Sequence, residues 1–268
     1  MQSKASGSRT AALRGLRGSS LSAAVILAFL VIWEVAVTSM KVSPLVLPAP
    51  SQIFLAAFHM VRQPWFAQHI ATTVSEILIG FSIAITFGVF FGALISKFRW
   101  AEVIFSPFLI GSQVTPKVAL MPLFILWFGF GIYSKIFMVA LLSFFPILKN
   151  TILGFRSIPS AQYDLFRIIG ASQFKVIRSL EIPAILPFIL TGIETASVLA
   201  VTGAIVGEYL GGNEGLGALI VMTLNALKID QMFATVLILI VFGIFFYTAV
   251  SSLRRVLVRG PTRTTSET

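Results

Sequence analysis

The chain has 268 residues, of which 57% are hydrophobic and 11% are charged, with a mean hydropathy of +0.94. Soluble domains carry roughly a quarter charged residues, so this composition excludes an ordinary soluble domain and indicates a surface that faces lipid. The net charge of +10 does not point to nucleic acid, because most basic residues lie in short segments between apolar runs. The absence of cysteine excludes disulfides, thiolate metal sites and redox motifs.

Apolar runs near the ~20 residues that cross ~30 Å of hydrocarbon predict the membrane spans. The first run, residues 21–37, follows a basic tail over residues 1–20 and is interrupted only by Glu34. A cleaved signal peptide is the alternative for this run, but its length and its Trp33 and Glu34 favour a retained span. A second, uncharged run covers residues 77–96.

The next stretch, residues 101–134, is too long for one straight helix, because 34 helical residues would measure ~51 Å. Residues that can interrupt a helix occur at Pro107, Gly111, Pro116 and Pro122. We expect a short interfacial piece before Thr115 and a span that ends near Phe128. Two separate spans are the alternative.

Three further spans follow at residues 136–155, 184–209 and 231–253. The middle one of these carries Glu194, Glu208 and several glycines and alanines. Such small residues let helices approach closely in lipid, so we expect this span to lie inside the bundle.

The distribution of basic residues decides between six and seven spans. With six spans, 15 of the 20 Lys and Arg residues share one side of the membrane. The positive-inside rule places that side, with both termini, in the cytoplasm. The predicted organisation is an all-α membrane domain of six transmembrane helices over residues 21–255, between cytoplasmic tails at 1–20 and 256–268.

A cytoplasmic loop over residues 157–183 is long for a link between membrane helices. The pair Pro159-Ser160 favours a helix start, and Gly170 favours a helix end. Ala171-Ser172 then opens a second helix, and Pro183 marks the start of the next span. An ordinary interfacial helix pair is one interpretation of this loop.

The spacing in this loop resembles the signature of permease subunits of binding-protein-dependent ATP-binding-cassette (ABC) importers. That signature reads Glu-Ala-Ala, three residues, Gly, nine residues, Ile, one residue, Leu-Pro. The corresponding residues here are Asp164, Leu165, Phe166, Gly170, Leu180 and Ile182-Pro183. Leu165 and Phe166 depart from the two alanines but leave the spacing intact. The resemblance implies the ABC importer type I permease fold.

Three other segments resemble branches of the same superfamily. Residues 47–51, Leu-Pro-Ala-Pro-Ser, and residues 116–129 are similar to the nitrate, sulfonate and taurine importers. Residues 203–217 look more like members that import pyrimidine or flavin precursors. The implied solute is therefore a small anion of the first kind or a heterocycle of the second.

The resemblance also implies partners and a coupling site. This chain has no Gly-x-x-x-x-Gly-Lys-Ser/Thr phosphate loop, so a separate ABC ATPase would bind ATP and Mg²⁺. The chain itself is expected to be neither an enzyme nor a cofactor carrier. The implied assembly lies in the bacterial inner membrane and also contains a second permease copy and surrounding lipid. An extracytoplasmic solute-binding protein would dock on residues 47–68 and 210–230. The implied ATPase-coupling residues are Asp164, Leu165, Phe166, Arg167, Gly170, Ala171, Ser172 and Pro183.

Polar residues at membrane depth are candidates for the translocation pathway, because an ionisable side chain there costs about 3 kcal/mol. Lys117 could meet an anionic solute, or Gln113 and Thr115 could hydrogen-bond a heterocycle. Glu194 and Glu208 complete the candidate pathway. Snorkelling or an interhelical Lys-Glu pair is the alternative. The two histidines are expected at the surface.

The main rival function is a stand-alone secondary transporter or channel, with coupling ions on carboxylates such as Glu76 and Glu194. The long cytoplasmic loop argues against it. An intramembrane enzyme is a third possibility, but the sequence contains neither His-Glu-x-x-His nor Gly-x-Ser-x-Gly.

Overall fold

A computed structural model describes residues 3–257, apart from the side chains of residues 3–20, Arg99 and Gln113. No β-strand occurs between residues 3 and 257. The α-helices in this range are α1 (Ser3–Ser39), α2 (Pro50–Val61), α3 (Pro64–Lys97), α4 (Arg99–Val114), α5 (Met121–Phe128), α6 (Ile132–Arg156), α7 (Ser160–Ile168), α8 (Gln173–Val176), α9 (Ile182–Gly211), α10 (Leu216–Asn225) and α11 (Ile229–Leu257). Of the predicted carboxy-terminal tail, residues 256–268, only Val256 and Leu257 are described, at the end of α11.

Membrane spans occur where the apolar runs predict them. The helical segments long and apolar enough to cross are Leu21–Ser39, Pro64–Lys97, Ile132–Arg156, Gln173–Gly211 and Ile229–Leu257. A bent pair, Trp100–Ser112 and Lys117–Phe128, whose two parts meet at 98°, makes a sixth span if it crosses as one broken segment. The all-α prediction is therefore confirmed, with five to six transmembrane segments.

The break in the third segment divides it differently from the prediction. The longer piece is α4, with 16 residues before the break, and only the 8 residues of α5 form an α-helix after it. Pro107 lies inside α4 without ending it. The helix stops at Thr115, whose backbone is extended (φ −75°, ψ 126°), because the following Pro116 disfavours helical geometry there.

Helix α6 forms the centre of the bundle, between α3 and α9. A Cβ atom on Gly80 of α3 would lie 2.6 Å from Cβ of Val139, and one on Gly203 of α9 would lie 2.9 Å from its Cα. Val139 is fully buried, so the absence of side chains on both neighbours lets three helices meet there. Other glycines that approach α6 closely are Gly88, Gly92, Gly192 and Gly207.

The span that contains α9 is buried as predicted, since Ala196, Ala200 and Ala204 are inaccessible. Its start differs from the prediction. The chain stays helical from Gln173 to Gly211, passing through one π-helical turn at Ile177–Glu181. Pro183 lacks an N–H and needs extra room one turn back, and a wider turn accommodates it without a break.

Two short apolar helices, α2 and α10, accompany the spans on the side opposite the 157–183 loop. They share a hydrophobic cluster whose buried members are Ile53, Ala56, Met60, Phe66, Leu216, Leu219, Ala234 and Leu239. Glu34, the one charge in the first span, accepts hydrogen bonds from N (3.0 Å) and Oγ (2.8 Å) of Ser51 at the start of α2. A carboxylate at a helix amino terminus is favourable, so Glu34 anchors α2 to α1.

Candidate functional site

The loop between α6 and α9 has a buried inner face. Ile158, Leu180 and Ile185 form a small cluster, and Tyr163 and Phe166 of α7 pack against it. Phe166, which replaces an alanine of the family signature, is thus an anchor that holds α7 against the base of α6 and α9.

The outer face of the same loop is apolar and exposed. Its exposed side chains are Leu165 (57%), Ile168 (83%), Ile169 (58%) and Phe174 (70%). Asp164 and Arg167 lie between them and form an exposed ion pair at 3.8 Å, which contributes little to stability. Large exposed apolar side chains on and beside a short surface helix are typical of a docking surface.

The turn after α7 follows the predicted pattern. Gly170 has φ +65°, and Ala171 N donates to Phe166 O at 3.0 Å, which closes the helix in the way that favours glycine. The Ser172 side chain then caps α8. Pro183 lies in the first turn of α9.

Ionic contacts connect this loop to the spans. Glu181, which is 7% exposed, pairs with Lys97 at the end of α3 at 2.7 Å. Burial and the nearby Glu181 carboxylate raise the pKa of Tyr163 on α7. Arg156, in the last turn of α6, pairs with Glu102 of α4. Tyr163 of α7 is thus linked through Glu181 to the end of α3.

The candidates at the broken third segment lie at its bend. Thr115 is exposed, and its hydroxyl donates to Gly111 O at 2.8 Å. Lys117 Nζ donates to Ser112 O at 2.5 Å and lies 5.0 Å from the ring centroid of Phe145. The Lys117 charge is thus held within the segment itself. The side chain of Gln113 is outside the described residues.

Glu194 and Glu208 occupy separate positions on α9, ~21 Å apart along its axis. Glu194 accepts hydrogen bonds from Tyr247 (3.0 Å) and Ser251 (2.7 Å) and pairs with Arg254, all on α11. Its carboxylate therefore joins α9 to the carboxy-terminal end of α11.

Glu208 is fully buried and joins α9 to α3 and α10. Its Oε1 accepts from Thr73 Oγ1 at 2.6 Å, and its Oε2 accepts from Gly217 N at 2.6 Å. Leu216 N donates in turn to Thr73 Oγ1 at 2.9 Å. Two side chains thus satisfy the free N–H groups at the start of α10. Gly215 has φ +104°, and any side chain there would overlap the Glu208 carboxylate.

The turn before α10, residues 212–217, is called the outer turn below. Nδ1 of His69 lies 3.1 Å from Gly215 N and 3.0 Å from Gly215 O. Gln68 Nε2 donates to Glu214 Oε1 at 3.3 Å, and Lys135 Nζ donates to Glu214 O at 3.4 Å. The outer turn is therefore fastened to α3, α6 and α9 together.

Lys135 links the outer turn to a further buried carboxylate. It is 3% exposed, and its Nζ lies 3.2 Å from Oε1 of the fully buried Glu76, which also lies beside Glu208. The sequence alone predicts His69 at the surface and does not reveal this cluster. Opposite charges near the outer ends of three predicted spans were the available signal, but which helices are neighbours is not evident from one sequence.

An aromatic groove runs between α3, α5 and α6. Its larger lining residues, all apolar, are Ile83, Phe87, Phe124, Phe137, Leu141 and Phe144. At its rim the rings of Phe128 and Phe137 stack with centroids 4.3 Å apart and an interplanar angle of 6°. Such a surface suits flat, weakly polar groups.

Known proteins match this chain over most of its length. Residues 84–263 match the family described as binding-protein-dependent transport system inner membrane component. The formylaminopyrimidine transport permease protein ThiX of Halalkalibacterium halodurans is 36% identical, covering 87% of this chain and 92% of its own. The riboflavin transport system permease protein RibX of Chloroflexus aurantiacus is 35% identical, covering 86% of each chain.

A solved structure supports the fold independently. A chain of the inward-facing MetNI methionine ABC transporter is similar with a TM-score of 0.60, covering 73% of this chain and 97% of that chain. At 15% identity, this likeness establishes the fold alone.

Proposed function

We infer that this chain, which belongs to the family of binding-protein-dependent transport system inner membrane components and is an ABC transporter permease subunit, is driven by a separate ATPase. The force of that ATPase reaches the chain through α7 and the Gly170 turn. The family resemblance predicted from the sequence is confirmed. In this proposal, ATP and Mg²⁺ bind to the partner ATPase, and the permease chain supplies the membrane path.

The observation that carries the coupling role is the two-sided character of α7. Its inner face, with Tyr163 and Phe166, is packed, while Ile168 on its outer face is 83% exposed. Tyr163 of α7 also lies beside Glu181, which pairs with Lys97 at the end of α3, so α7 is fixed to the spans by a polar contact as well as by packing. A fixed helix with an exposed apolar face fits a groove on a partner protein.

The packing also supports a route for movement. Leu180 and Ile185, at the start of the long helix that contains α9, contact the loop directly, and Ile158 follows α6. Pushing α7 would therefore tilt α6 and α9, the two most closely packed helices of the bundle. Tilting of packed helices about an enclosed site is the expected basis of alternating access.

An Ile168→Asp variant tests the coupling role. Since Ile168 is exposed, we expect the variant to fold normally but to lose capture of the ATPase subunit and stimulation of its hydrolysis. The matched control is Ile168→Leu, which keeps the apolar contact. Equal ATPase capture and stimulation with Asp and Leu at position 168 would contradict the proposal.

The same proposal includes the rest of the assembly. Two permease copies form the pathway, both termini are cytoplasmic, and a solute-binding protein docks on residues 47–68 and 210–230. Large exposed apolar side chains support burial against a second copy or lipid; examples are Phe108 (69%), Val114 (81%) and Leu126 (76%).

For the solute, we favour a flat heterocycle of the pyrimidine or flavin type. The solutes for which ThiX and RibX are named support this class, as does the aromatic groove between α3, α5 and α6. An anionic solute is the second candidate, supported by the resemblance of residues 47–51 and 116–129 to sulfonate-type importers. Lys117, the cation expected to meet such an anion, is already held by Ser112 O.

The two carboxylates that a secondary transporter would use as ion sites both have basic partners in this chain. Glu76 pairs with Lys135, and Glu194 pairs with Arg254. Carboxylates that are neutralised by basic residues of the same chain are poor sites for a coupling cation.

A further inference from the structure

The outer turn contains Gly212, Gly215 and Gly217, so its backbone has little intrinsic preference for one conformation. Side chains outside the turn therefore hold its backbone in the conformation described above. Thr73 and Glu208 hold the end of the turn at the start of α10, and His69 holds Gly215.

The tip of the outer turn is exposed, unlike its base. Asn213 and Glu214 face outward, while Gly215, Leu216 and Gly217 are buried. The tip is therefore available to a large partner, and the buried contacts beneath decide how it is presented.

We propose that Thr73, Glu208 and His69 form a latch that sets the affinity of the solute-binding protein for the outer side of this permease. The three are positioning residues: they contact the buried base of the outer turn and hold its exposed tip in the shape that the partner meets. This inference rests on the proposed function, because it needs a binding protein that docks here.

Thr73 is the best residue for testing the latch, because its hydroxyl is both donor and acceptor. It donates to Glu208 Oε1 and accepts from Leu216 N, so one Thr73→Val change removes both hydrogen bonds. Thr72→Val is a matched control, since the Thr72 hydroxyl donates only within its own helix, to Gln68 O at 3.1 Å. Thr73→Ser keeps the hydroxyl and should restore the latch.

The first readout is the mobility of the outer turn. The chain has no cysteine, so Asn213→Cys introduces one thiol that can carry a nitroxide spin label. In the assembled transporter in nanodiscs, we expect an immobilised label in the otherwise unchanged chain, with Thr72→Val and with Thr73→Ser. Thr73→Val should give a mobile label, and an immobilised label in that variant would overturn the latch.

The second readout is the concentration of binding protein that half-maximally stimulates ATPase activity. Thr73→Val should raise it about tenfold, the effect expected when a docking surface loses its fixed shape, with basal and maximal rates unchanged. A half-maximal concentration equal to that of Thr72→Val would overturn the proposal. A fall in basal and maximal rates together, without a change in that concentration, would also overturn it, since it would show a structural role alone. A transporter with the original sequence that binding protein does not stimulate would contradict the proposed function instead.

Discussion

Individual charged residues inside the membrane domain act mainly as connectors between helices. Glu34 joins α1 to α2, Glu194 joins α9 to α11, and Glu181 joins the 157–183 loop to α3. Removing a charge from water is costly, so such residues persist when a partner and hydrogen bonds compensate. Lys135 is the extreme case, because it lies between Glu76 and the outer turn with almost no exposure.

Replacement of Lys135 by Met should leave the buried carboxylate of Glu76 without its cation. We expect this variant to lose about 3–5 kcal/mol of stability, the usual cost of removing one partner of a buried pair. Thermal unfolding in detergent measures the change. Lys228→Met is the control, because Lys228 is exposed on the same side of the membrane.

A second variant separates charge from packing. If the loss in Lys135→Met comes from the stranded carboxylate, Glu76→Gln added to it should recover part of the stability. Equal unfolding temperatures for Lys135→Met and Lys228→Met would contradict the role assigned to Lys135.

The sequence located these charges in the chain but not their partners. Glu76, Lys135 and Glu208 are far apart in sequence, and each is ordinary by itself. Spacing within the 157–183 loop, by contrast, predicted the Gly170 turn, because a helix end is decided by neighbouring residues. Local chemistry is readable from one chain, whereas pairing across three helices depends on their packing.

At the scale of elements, glycines of α3 and α9 let both helices pack closely against α6. The lengths of apolar runs predicted the spans, because the bilayer fixes the length a helix needs. They did not predict that α4 would be the longer part of the broken segment, or that a π-helical turn would carry the chain into α9 without a break. Those details depend on how Pro116 and Pro183 are accommodated, and alternatives differ little in composition.

A Gly80→Ala variant tests whether the close packing of α3 against α6 stabilises the bundle. The new methyl group would lie 2.6 Å from Val139 Cβ and 2.7 Å from Ile136 O, so α3 and α6 would have to separate. We expect a loss of about 1–3 kcal/mol, typical of overpacking, seen as a lower unfolding temperature.

Gly243→Ala on α11 is the control for that variant. Its methyl group would lie 3.8 Å from the nearest atom, Val201 Cγ1, and alanine favours helix, so stability should hold or rise slightly. If the two alanine variants unfolded alike, the close approach of α3 to α6 would not be required for stability.

At the scale of the whole molecule, the broken third segment decides the topology. If the pair α4 and α5 crosses the membrane as one span, the segments before α2 and before α10 lie on the same side. If the pair returned to the side it started from, those segments would lie on opposite sides. The excess of basic residues on one side favours the crossing.

Single cysteines test this topology in a chain that has none. Ser43→Cys, Ser160→Cys and Asn213→Cys are all at exposed positions. In intact cells from which the cell wall and any outer membrane have been removed, a membrane-impermeant maleimide should label positions 43 and 213 but not 160. Labelling of 43 and 160 without 213 would show that the bent pair does not cross.

The most direct test of the central claim is solute uptake into proteoliposomes that contain the chain with or without its ATPase subunit. ATP is placed on the ATPase side, binding protein is placed opposite, and labelled formylaminopyrimidine, riboflavin and taurine are offered in turn. We predict uptake only when the ATPase and ATP are both present, for a heterocycle and not for taurine, and its loss with Ile168→Asp. Uptake by the chain alone, unaffected by Ile168→Asp, would contradict an ATP-driven permease coupled through α7.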